Sequence, residues 1–396
     1  MRWNLRILMF GIGLVVIVFA LLQLIEVTNQ FNRDSPREIT VREHAQNIML
    51  KTCRDSFPVP DGVRIFPDGR EVRHIAFLKV HKAASGTATS ILFRFGMSRG
   101  LTFILPKWLN IVSSSETLQE KLIHPRLNKS FDIMTSHVIF NKSAFENFLP
   151  KDTVYIGIIR EPYQQFKSSM NYMAPKYVYN ISKEDPIQRY LKDPLKYETA
   201  KIPRFSWINN RQATEFGTPD DIIVTRNKTA MADYVNKLDS QFHLVIISEY
   251  FDESIILFRR MLNWRFEDIL YRRLHIRGWD RKLTIPRAND RKLYKRYAFA
   301  DYAIYDFFYR RLWQQISRAG NDFFDEVLHF KQARDEVDDF CKTFPNITDT
   351  YVVEKSIWNK KLTVDKTFCG QLFAEEEDWV QKIGLKQYNI QPKKKS

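Results

Sequence analysis

The alternation of apolar and polar segments along the chain predicts a recurring unit of strand, loop and helix. In the first unit, residues 75–78 are an apolar run and residues 81–87 are polar and rich in small side chains. Residues 88–95 then place apolar side chains at helical spacing. A short apolar run that leads into such spacing is typical of a buried strand followed by an amphipathic helix.

The same unit recurs twice further along the chain. Residues 153–159 are mostly apolar, residues 160–162 form a turn with a proline, and residues 163–172 have helical spacing. Residues 242–247 are a third apolar run, and the amphipathic stretch 252–262 follows it. Strands that alternate with helices predict an α/β fold with a central parallel sheet flanked by helices.

Ligands of such folds bind at the carboxyl ends of the strands, where loops lead into helices. Residues 81–87 and 160–162 are therefore the predicted binding loops. Residues 301–316 also carry aromatic and aliphatic side chains at helical spacing, which we interpret as core packing.

The longest apolar segment lies near the amino terminus, at residues 7–25. At about 1.5 Å per residue, a helix of this length spans roughly 30 Å, the thickness of a bilayer core. A cleaved signal peptide is the alternative, but the segment is long and no small-x-small cleavage site follows it. Arg2 and Arg6 precede the segment and Glu26 follows it. The positive-inside tendency then predicts a cytosolic tail at 1–6, a signal-anchor at 7–25 and a type II orientation.

Residues 26–72 are polar and interrupted by four prolines, which predicts a stem. Residues 73–396 are the predicted luminal domain. Acceptor sequences for N-glycosylation support a luminal location, because glycans are attached there. Their asparagines are Asn128, Asn141, Asn180, Asn227 and Asn346.

Charge and composition narrow the class of protein. The 61 Lys and Arg exceed the 46 Asp and Glu, for a net charge of +15, and 44% of residues are hydrophobic. Such a chain can bury a core, which excludes collagen-like and wholly disordered proteins. The basic charge favours nucleic acid, a membrane surface, a phosphorylated nucleotide or an acidic glycan as partner. Nucleic acid conflicts with the luminal location, and no nucleic-acid-binding motif occurs.

The chain has three cysteines, Cys53, Cys341 and Cys369, without the spacing of a zinc site. In an oxidising lumen two of them can pair. The pairing stays open, with Cys341–Cys369 favoured because both lie in the same late segment. The acidic run at residues 375–378 is interpreted as surface.

The first binding loop has the composition of an anion site. Lys82 supplies a charge, and the small residues Ala84, Ser85 and Gly86 let backbone N–H groups approach a phosphate at the start of a helix. A Walker A sequence is absent, which excludes an ordinary nucleotide triphosphatase. The alternative is a helix start capped by Ser85 or Thr87, with Lys82 in solvent.

The second loop could hold another phosphate. Arg160 ends an apolar run, Pro162 fixes the turn, and Ser168 follows in the next helix. An arginine fork and a hydroxyl can bind a phosphate together. The alternative is a helix-capping ion pair. Two such loops in one luminal protein favour a nucleotide with phosphates at two positions.

The segments KVHKAASGT and IIREPYQQFKSS resemble the 5′-phosphosulfate and 3′-phosphate loops of Golgi carbohydrate sulfotransferases, which use 3′-phosphoadenosine 5′-phosphosulfate (PAPS). The segments HIAFLKVHKAASGTATSILFRFG, ISEYFDESIILFRRMLNWRFEDILYRRL and YAIYDFFYRRLWQQI are most similar to the galactose-3-O-sulfotransferase family. The resemblance extends over residues 74–320. It implies a P-loop-like sulfotransferase fold on a single-pass Golgi membrane protein.

The resemblance also implies a mechanism, in-line transfer of a sulfuryl group from PAPS to a sugar hydroxyl. Lys82 would neutralise the leaving phosphate, with Ala84, Ser85, Gly86 and Thr87 assisting. Arg160 and Ser168 match the positions that hold the 3′-phosphate. No metal is required by this mechanism.

The transfer needs a base for the attacking hydroxyl. His137 lies in a His-x-x-Phe setting similar to that of the catalytic histidine of glycan 2-O-sulfotransferases, and histidine titrates near neutral pH. The competing interpretation is a histidine packed in the core. His81, in the phosphosulfate loop, is the second candidate.

The sequence therefore predicts a Golgi enzyme that sulfates galactose, at its 3-hydroxyl, on a glycolipid or glycoprotein. One alternative is a glycosaminoglycan O-sulfotransferase of the same fold. Another is an inactive, membrane-anchored glycan-binding protein, against which Lys82, Arg160 and His137 argue, since a pure binder needs no donor site. The sequence leaves the acceptor and the oligomeric state open.

Overall fold

The computed structural model describes residues 69–107, 111–127, 130–172, 180–181, 185–198, 202–272, 287 and 289–391. The predicted cytosolic tail and membrane segment, almost all of the predicted stem, Cys53 and Asn128 lie outside these residues. Within the described part of the chain, none of the helices combines the length and the apolar character needed to cross a bilayer.

A four-stranded parallel sheet forms the centre of the fold, in the order β2-β1-β3-β4. Its strands are β1 (Ile75–Leu78), β2 (Ile133–Met134), β3 (Val154–Ile159) and β4 (Leu244–Ile247). All three apolar runs that predicted strands are confirmed, although β3 begins one residue later than predicted and β4 two residues later. The parallel sheet flanked by helices is confirmed as well.

Every strand residue of this sheet is buried, which explains why the strands are uniformly apolar and not alternating. The helix that follows β1 packs tightly on this layer. Gly96 shows how tightly, because a Cβ atom there would lie 2.3 Å from the ring of Phe103. Any side chain at this position would push the helix away from the sheet.

Fifteen α-helices occur in the described residues. In chain order they are α1 (Ser85–Arg99), α2 (Lys142–Glu146), α3 (Pro162–Tyr172), α4 (Pro186–Lys192), α5 (Pro194–Tyr197), α6 (Arg211–Glu215), α7 (Asp220–Thr225), α8 (Lys228–Gln241), α9 (Phe251–Leu262), α10 (Phe266–Ile269), α11 (Asp290–Tyr297), α12 (Phe299–Ser317), α13 (Phe323–Lys342), α14 (Lys366–Phe373) and α15 (Glu376–Tyr388).

The helices predicted after β1, β3 and β4 are α1, α3 and α9, and the one predicted at 301–316 is α12. One boundary is corrected. Helix α1 begins at Ser85, so Ser85, Gly86 and Thr87 form its first turn and the loop after β1 is shorter than predicted. The small side chains predict a loop, but the chain already turns into the helix at Ala84, which has a left-handed backbone conformation.

The carboxyl-terminal part adds a hairpin and two helices. Strands β5 (Tyr351–Val353) and β6 (Leu362–Val364) pair antiparallel. A disulfide joins Cys341 of α13 to Cys369 of α14, which confirms the favoured pairing. Helix α15 packs against α1 and so returns the end of the chain to the central sheet.

Candidate active site

The predicted binding loops meet at the carboxyl ends of β1 and β3. The Arg160 guanidinium donates to the Lys82 carbonyl over 3.3 Å. Ser248, directly after β4, lies with its hydroxyl 2.7 Å from the Ala83 carbonyl and 3.0 Å from the Ile159 carbonyl. Three parallel strands thus deliver their loops to one place.

The loop after β1 has the backbone of an anion site. Lys82 and Ala84 both adopt left-handed conformations, with φ of 60°. Such residues are strained and point successive N–H groups toward one side of the loop. The first two amides of α1 lack an intrahelical acceptor, whereas the Thr87 amide donates to the Ala84 carbonyl over 3.2 Å, and a Cβ added to Gly86 would meet nothing within 4 Å. Open space therefore lies at the amino terminus of α1, as an anion would need.

The Ser85 and Lys82 side chains make different kinds of contact. The Ser85 hydroxyl donates to the Val80 carbonyl over 2.7 Å and so closes the loop, where the sequence suggested a hydroxyl that assists the donor phosphate. The Lys82 ammonium lies 3.8 Å from the centre of the Tyr172 ring. Burial, with a contribution from Arg160, lowers the pKa of Lys82. Lys82 and Arg160 therefore form a local concentration of positive charge.

The turn that carries Arg160 is clamped by Gln212 of α6. The Arg160 N–H donates to the Gln212 side-chain oxygen over 2.8 Å, and the Gln212 amide returns a bond to the Arg160 carbonyl over 2.9 Å. Ser168 lies two turns into α3 and is half-buried. Its neighbour Ser169 is fully buried and accepts from Gln165, so the helix presents Ser168 and not Ser169 to the outside.

The two candidate bases, His81 and His137, lie against each other. Their rings stack with centroids 3.6 Å apart and an angle of 18° between the planes. Nδ1 of His137 lies 2.8 Å from the Lys79 carbonyl. Because a carbonyl can only accept, Nδ1 carries the proton and Nε2 keeps a free lone pair. Burial lowers the pKa of His137 well below its ordinary value, and His81 and Lys79 add to the shift.

His81 is held by a carboxylate that the sequence analysis did not identify. Its backbone N–H donates to Glu215 over 2.9 Å, and its Nδ1 forms a short bond with the other carboxylate oxygen. Burial acts to raise the pKa of Glu215, but Arg211 and His81 outweigh it and lower that pKa to about 2. An ionised carboxylate behind an imidazole orients the ring and stabilises its protonated form.

Helix α6, which carries Glu215, is fixed by reciprocal capping with α12. The Asp301 carboxylate accepts from the Ala213 N–H over 2.7 Å at the start of α6. In return, the Asn210 side chain accepts from the N–H groups of Ala300 and Asp301, over 2.9 and 3.2 Å, at the start of α12. Each helix thereby satisfies amides of the other, which sets the position of Glu215.

Trp207 forms a wall beside the histidine pair. Its ring meets the His81 ring edge-on, with centroids 5.2 Å apart, and the Arg211 guanidinium lies 4.6 Å from its centre. The indole is partly exposed. The site therefore combines a proton acceptor with an aromatic surface.

Among the described residues, His81, His137 and Glu215 also form a group whose possible metal-ligand atoms lie within 4.8 Å of one another. The Glu215 carboxylate already accepts from His81 and from Arg211, the latter over 2.9 Å. Lys79 is a second positive charge nearby. A cation would compete with all of these groups, so the arrangement favours proton transfer over metal binding.

The predicted glycosylation sites within the described residues all lie at the surface. They are Asn141, Asn180, Asn227 and Asn346. Asn141 and Asn227 cap α2 and α8, each accepting a backbone N–H over 3.0 Å.

Comparison with known proteins identifies the family of the chain. A family model described as Galactose-3-O-sulfotransferase matches residues 5–355. The chain belongs to the galactose-3-O-sulfotransferase family. Its similarity to Galactosylceramide sulfotransferase of Bos taurus is 28% identity over 291 residues, 72% of this chain and 67% of that protein.

Two further relatives bear the family name. Galactose-3-O-sulfotransferase 2 of Mus musculus is 30% identical over 303 residues, 72% of this chain and 73% of the relative. Galactose-3-O-sulfotransferase 3 of Mus musculus is 30% identical over 269 residues, 66% of this chain and 61% of the relative. Membership of the galactose-3-O-sulfotransferase family makes this chain a sulfotransferase, and both binding loops and both histidines lie inside the matched region.

Asp301 gives the capped helix pair a pH dependence. Burial raises the pKa of Asp301 to about 7, from an ordinary value of 3.8. The folded protein thus holds this proton more tightly than the unfolded chain does. The stability that this bound proton contributes is fully present below about pH 4 and is lost as the pH rises toward 7. Asp301→Asn keeps an oxygen for the Ala213 N–H and cannot ionise.

We expect Asp301→Asn to gain stability relative to wild type as the pH rises from 4 to 7. Urea unfolding of both proteins at several pH values measures this difference. A difference in unfolding free energy that stays constant across this range would contradict it.

Proposed function

We propose that this protein transfers a sulfuryl group from PAPS to a galactose hydroxyl, the 3-hydroxyl, of a glycolipid or glycoprotein glycan. The observation that carries the proposal is the meeting of the Lys82 loop and the Arg160 turn beside the stacked histidines. Family membership and the names of the relatives support galactose as the acceptor.

The residues present fit the donor. The left-handed loop, the open amino terminus of α1 and Lys82 suit the 5′-phosphosulfate, an anionic group that needs N–H donors and positive charge. Arg160, with Ser168 further along α3, suits the 3′-phosphate. PAPS supplies the activated sulfuryl group. Lys82 and the loop amides neutralise the charge that develops as the bond between sulfur and the phosphate oxygen breaks.

The sugar hydroxyl loses its proton as its oxygen bonds to sulfur, and adenosine 3′,5′-bisphosphate leaves. We assign the proton to Nε2 of His81. The Glu215 carboxylate stabilises the imidazolium that forms, as in other carboxylate–histidine pairs. Nδ1 of His137 donates to the Lys79 carbonyl and lies 4.0 Å from Glu215, too far for a hydrogen bond, and burial lowers the pKa of His137, which disfavours its charged form. We therefore assign His137 the role of the neutral ring that packs against the base.

Trp207 supports a sugar acceptor at this place. Sugar-binding pockets combine an apolar wall with a few polar groups that fix orientation. The partly exposed indole beside His81 provides such a wall, and the C–H face of a galactose ring can pack on it. A sugar held there brings a hydroxyl toward the histidines.

Transfer of labelled sulfate from PAPS to a panel of galactosides and glycosaminoglycans tests this function. We expect transfer to a galactoside, and a loss of about 100-fold or more in kcat for Lys82→Ala, because the developing charge loses a neutralising group. Lys151→Ala, at an exposed lysine outside the site, is the matched control and should keep full activity.

Three results would count against the function. Transfer to glycosaminoglycans alone would change the acceptor assignment. Binding of adenosine 3′,5′-bisphosphate without any transfer would point to a glycan-binding protein. Failure to bind the nucleotide would exclude a sulfotransferase that uses PAPS.

The two histidines can be separated by matched substitutions. Asparagine keeps a group near the position of Nδ1 but removes Nε2, so His81→Asn and His137→Asn can each preserve the local hydrogen bond. We expect His81→Asn to lower kcat by about 100-fold or more, the usual cost of losing a general base, and His137→Asn to lower it less. The reverse order, measured with the same galactoside, would make His137 the base.

We further propose that residues 7–25 anchor the enzyme in the Golgi membrane with residues 73–396 in the lumen. The apolar length of the segment and the exposed sequon asparagines support this orientation. In intact microsomes, the body of the full chain should resist added protease and should lose N-glycans to a glycosidase after solubilisation. Digestion of the body without detergent would mean the opposite orientation.

A further inference from the structure

The site contains a second lysine, Lys79, which neither the binding loops nor the base assignment uses. It directly follows β1 and is only 3% exposed. An ammonium taken out of water is costly unless a counter-ion meets it. Burial indeed lowers the pKa of Lys79, while Glu376 and Glu215 act in the opposite direction. The Lys79 ammonium therefore needs a carboxylate partner to stay charged at this buried position.

The partner is Glu376, the first residue of α15. The Lys79 ammonium bonds to both oxygens of its carboxylate, across 297 positions in sequence. The Glu376 side chain is 21% exposed. The interpretation of residues 375–378 as surface is thus wrong for Glu376, because α15 turns this carboxylate inward.

Lys79 connects this ion pair to the histidines. Its carbonyl accepts the Nδ1 proton of His137, whose ring stacks on His81. The backbone of Lys79 thus orients one ring of the pair, while its side chain is held by the end of the chain. A displacement of Lys79 would reach His81 through one hydrogen bond to His137 and the stack of the two rings.

Helix α15 is held firmly enough to act in this way. The Gln387 side chain pairs with both the N–H and the carbonyl of Phe103, each over 2.9 Å. Trp379 is buried near Phe93 of α1. Glu375 and Asp378 form a capping box at the start of the helix, and the disulfide at Cys369 tethers the preceding helix. The carboxylate is therefore presented by a fixed element.

We propose that Glu376 is a positioning residue for sulfuryl transfer, acting through Lys79 on the histidine pair, so that α15 completes the active site. The family match ends at residue 355, before this helix begins. The inference rests on the proposed function, since it concerns the same transfer step.

The test compares Glu376→Gln with Glu377→Gln in the full chain, assayed with PAPS and a galactoside. Glu377 is the exposed neighbour in the same first turn, so both variants lose one charge at the same end of the helix. We expect Glu376→Gln to lower kcat by about tenfold or more, as small displacements of catalytic groups do. Glu377→Gln should stay within about twofold of wild type, as surface substitutions do.

A double-variant cycle separates positioning from general damage to the fold. If Glu376 acts through Lys79, Lys79→Met combined with Glu376→Gln is no slower than Lys79→Met alone. If adding Glu376→Gln to Lys79→Met lowered kcat by the same factor as Glu376→Gln does alone, the inference would be overturned. Thermal unfolding of each variant confirms that folded proteins are compared. If Glu376→Gln does not fold, Lys79→Met with Glu376→Leu removes both charges, and wild-type kcat in that protein would overturn the inference.

The outcomes for the two proposals are distinct. A wild-type chain that neither binds adenosine 3′,5′-bisphosphate nor transfers sulfate overturns the proposed function and the role of Glu376 with it. A wild-type chain that transfers sulfate while Glu376→Gln equals Glu377→Gln overturns the role of Glu376 alone.

Discussion

The buried carboxylate of Glu215 is the interaction on which the rest of the site depends. It accepts from the backbone and the ring of His81 and from Arg211, and so joins the loop after β1 to helix α6. A buried carboxylate is tolerated only with such partners. This requirement sets the position of α6. The reciprocal caps formed by Asn210 and Asp301 then link α6 to α12.

The parallel sheet supplies the second constraint. All of its strands end at the same edge, so the loops that follow β1, β3 and β4 converge whatever their distance in sequence. The loops bring Lys82 and Arg160 together: the Arg160 guanidinium donates to the Lys82 carbonyl, and the charge of Arg160 helps to lower the pKa of Lys82. Ser248 bridges the two loops from β4. A site with this charge is suited to a dianionic or more highly charged substrate, and the left-handed backbone at Lys82 and Ala84 adds directed N–H groups.

Much of this arrangement could be predicted from local sequence. The uniformly apolar runs predicted the strands because both faces of a parallel sheet are buried, and β1 has the predicted bounds. The loops with Lys82 and Arg160 were identified from composition and turn chemistry. The choice between His81 and His137 could not be made, because 56 positions separate two rings that stack in the fold. The sequence therefore presents as alternatives two histidines whose rings stack on each other in the fold.

The sequence by itself determined the type of fold and the positions of the two candidate binding loops, since these depend on local patterns of apolar, small and charged residues, and its resemblance to known segments indicated the family. Only the tertiary structure decided which charges meet. Glu215 reaches His81 across 134 positions and Glu376 reaches Lys79 across 297. A carboxylate that will be partly buried in an ion pair looks the same in sequence as its exposed neighbours, as Glu376 and Glu377 show. Burial is a property of packing, and packing alone turns one of these two glutamates toward the site.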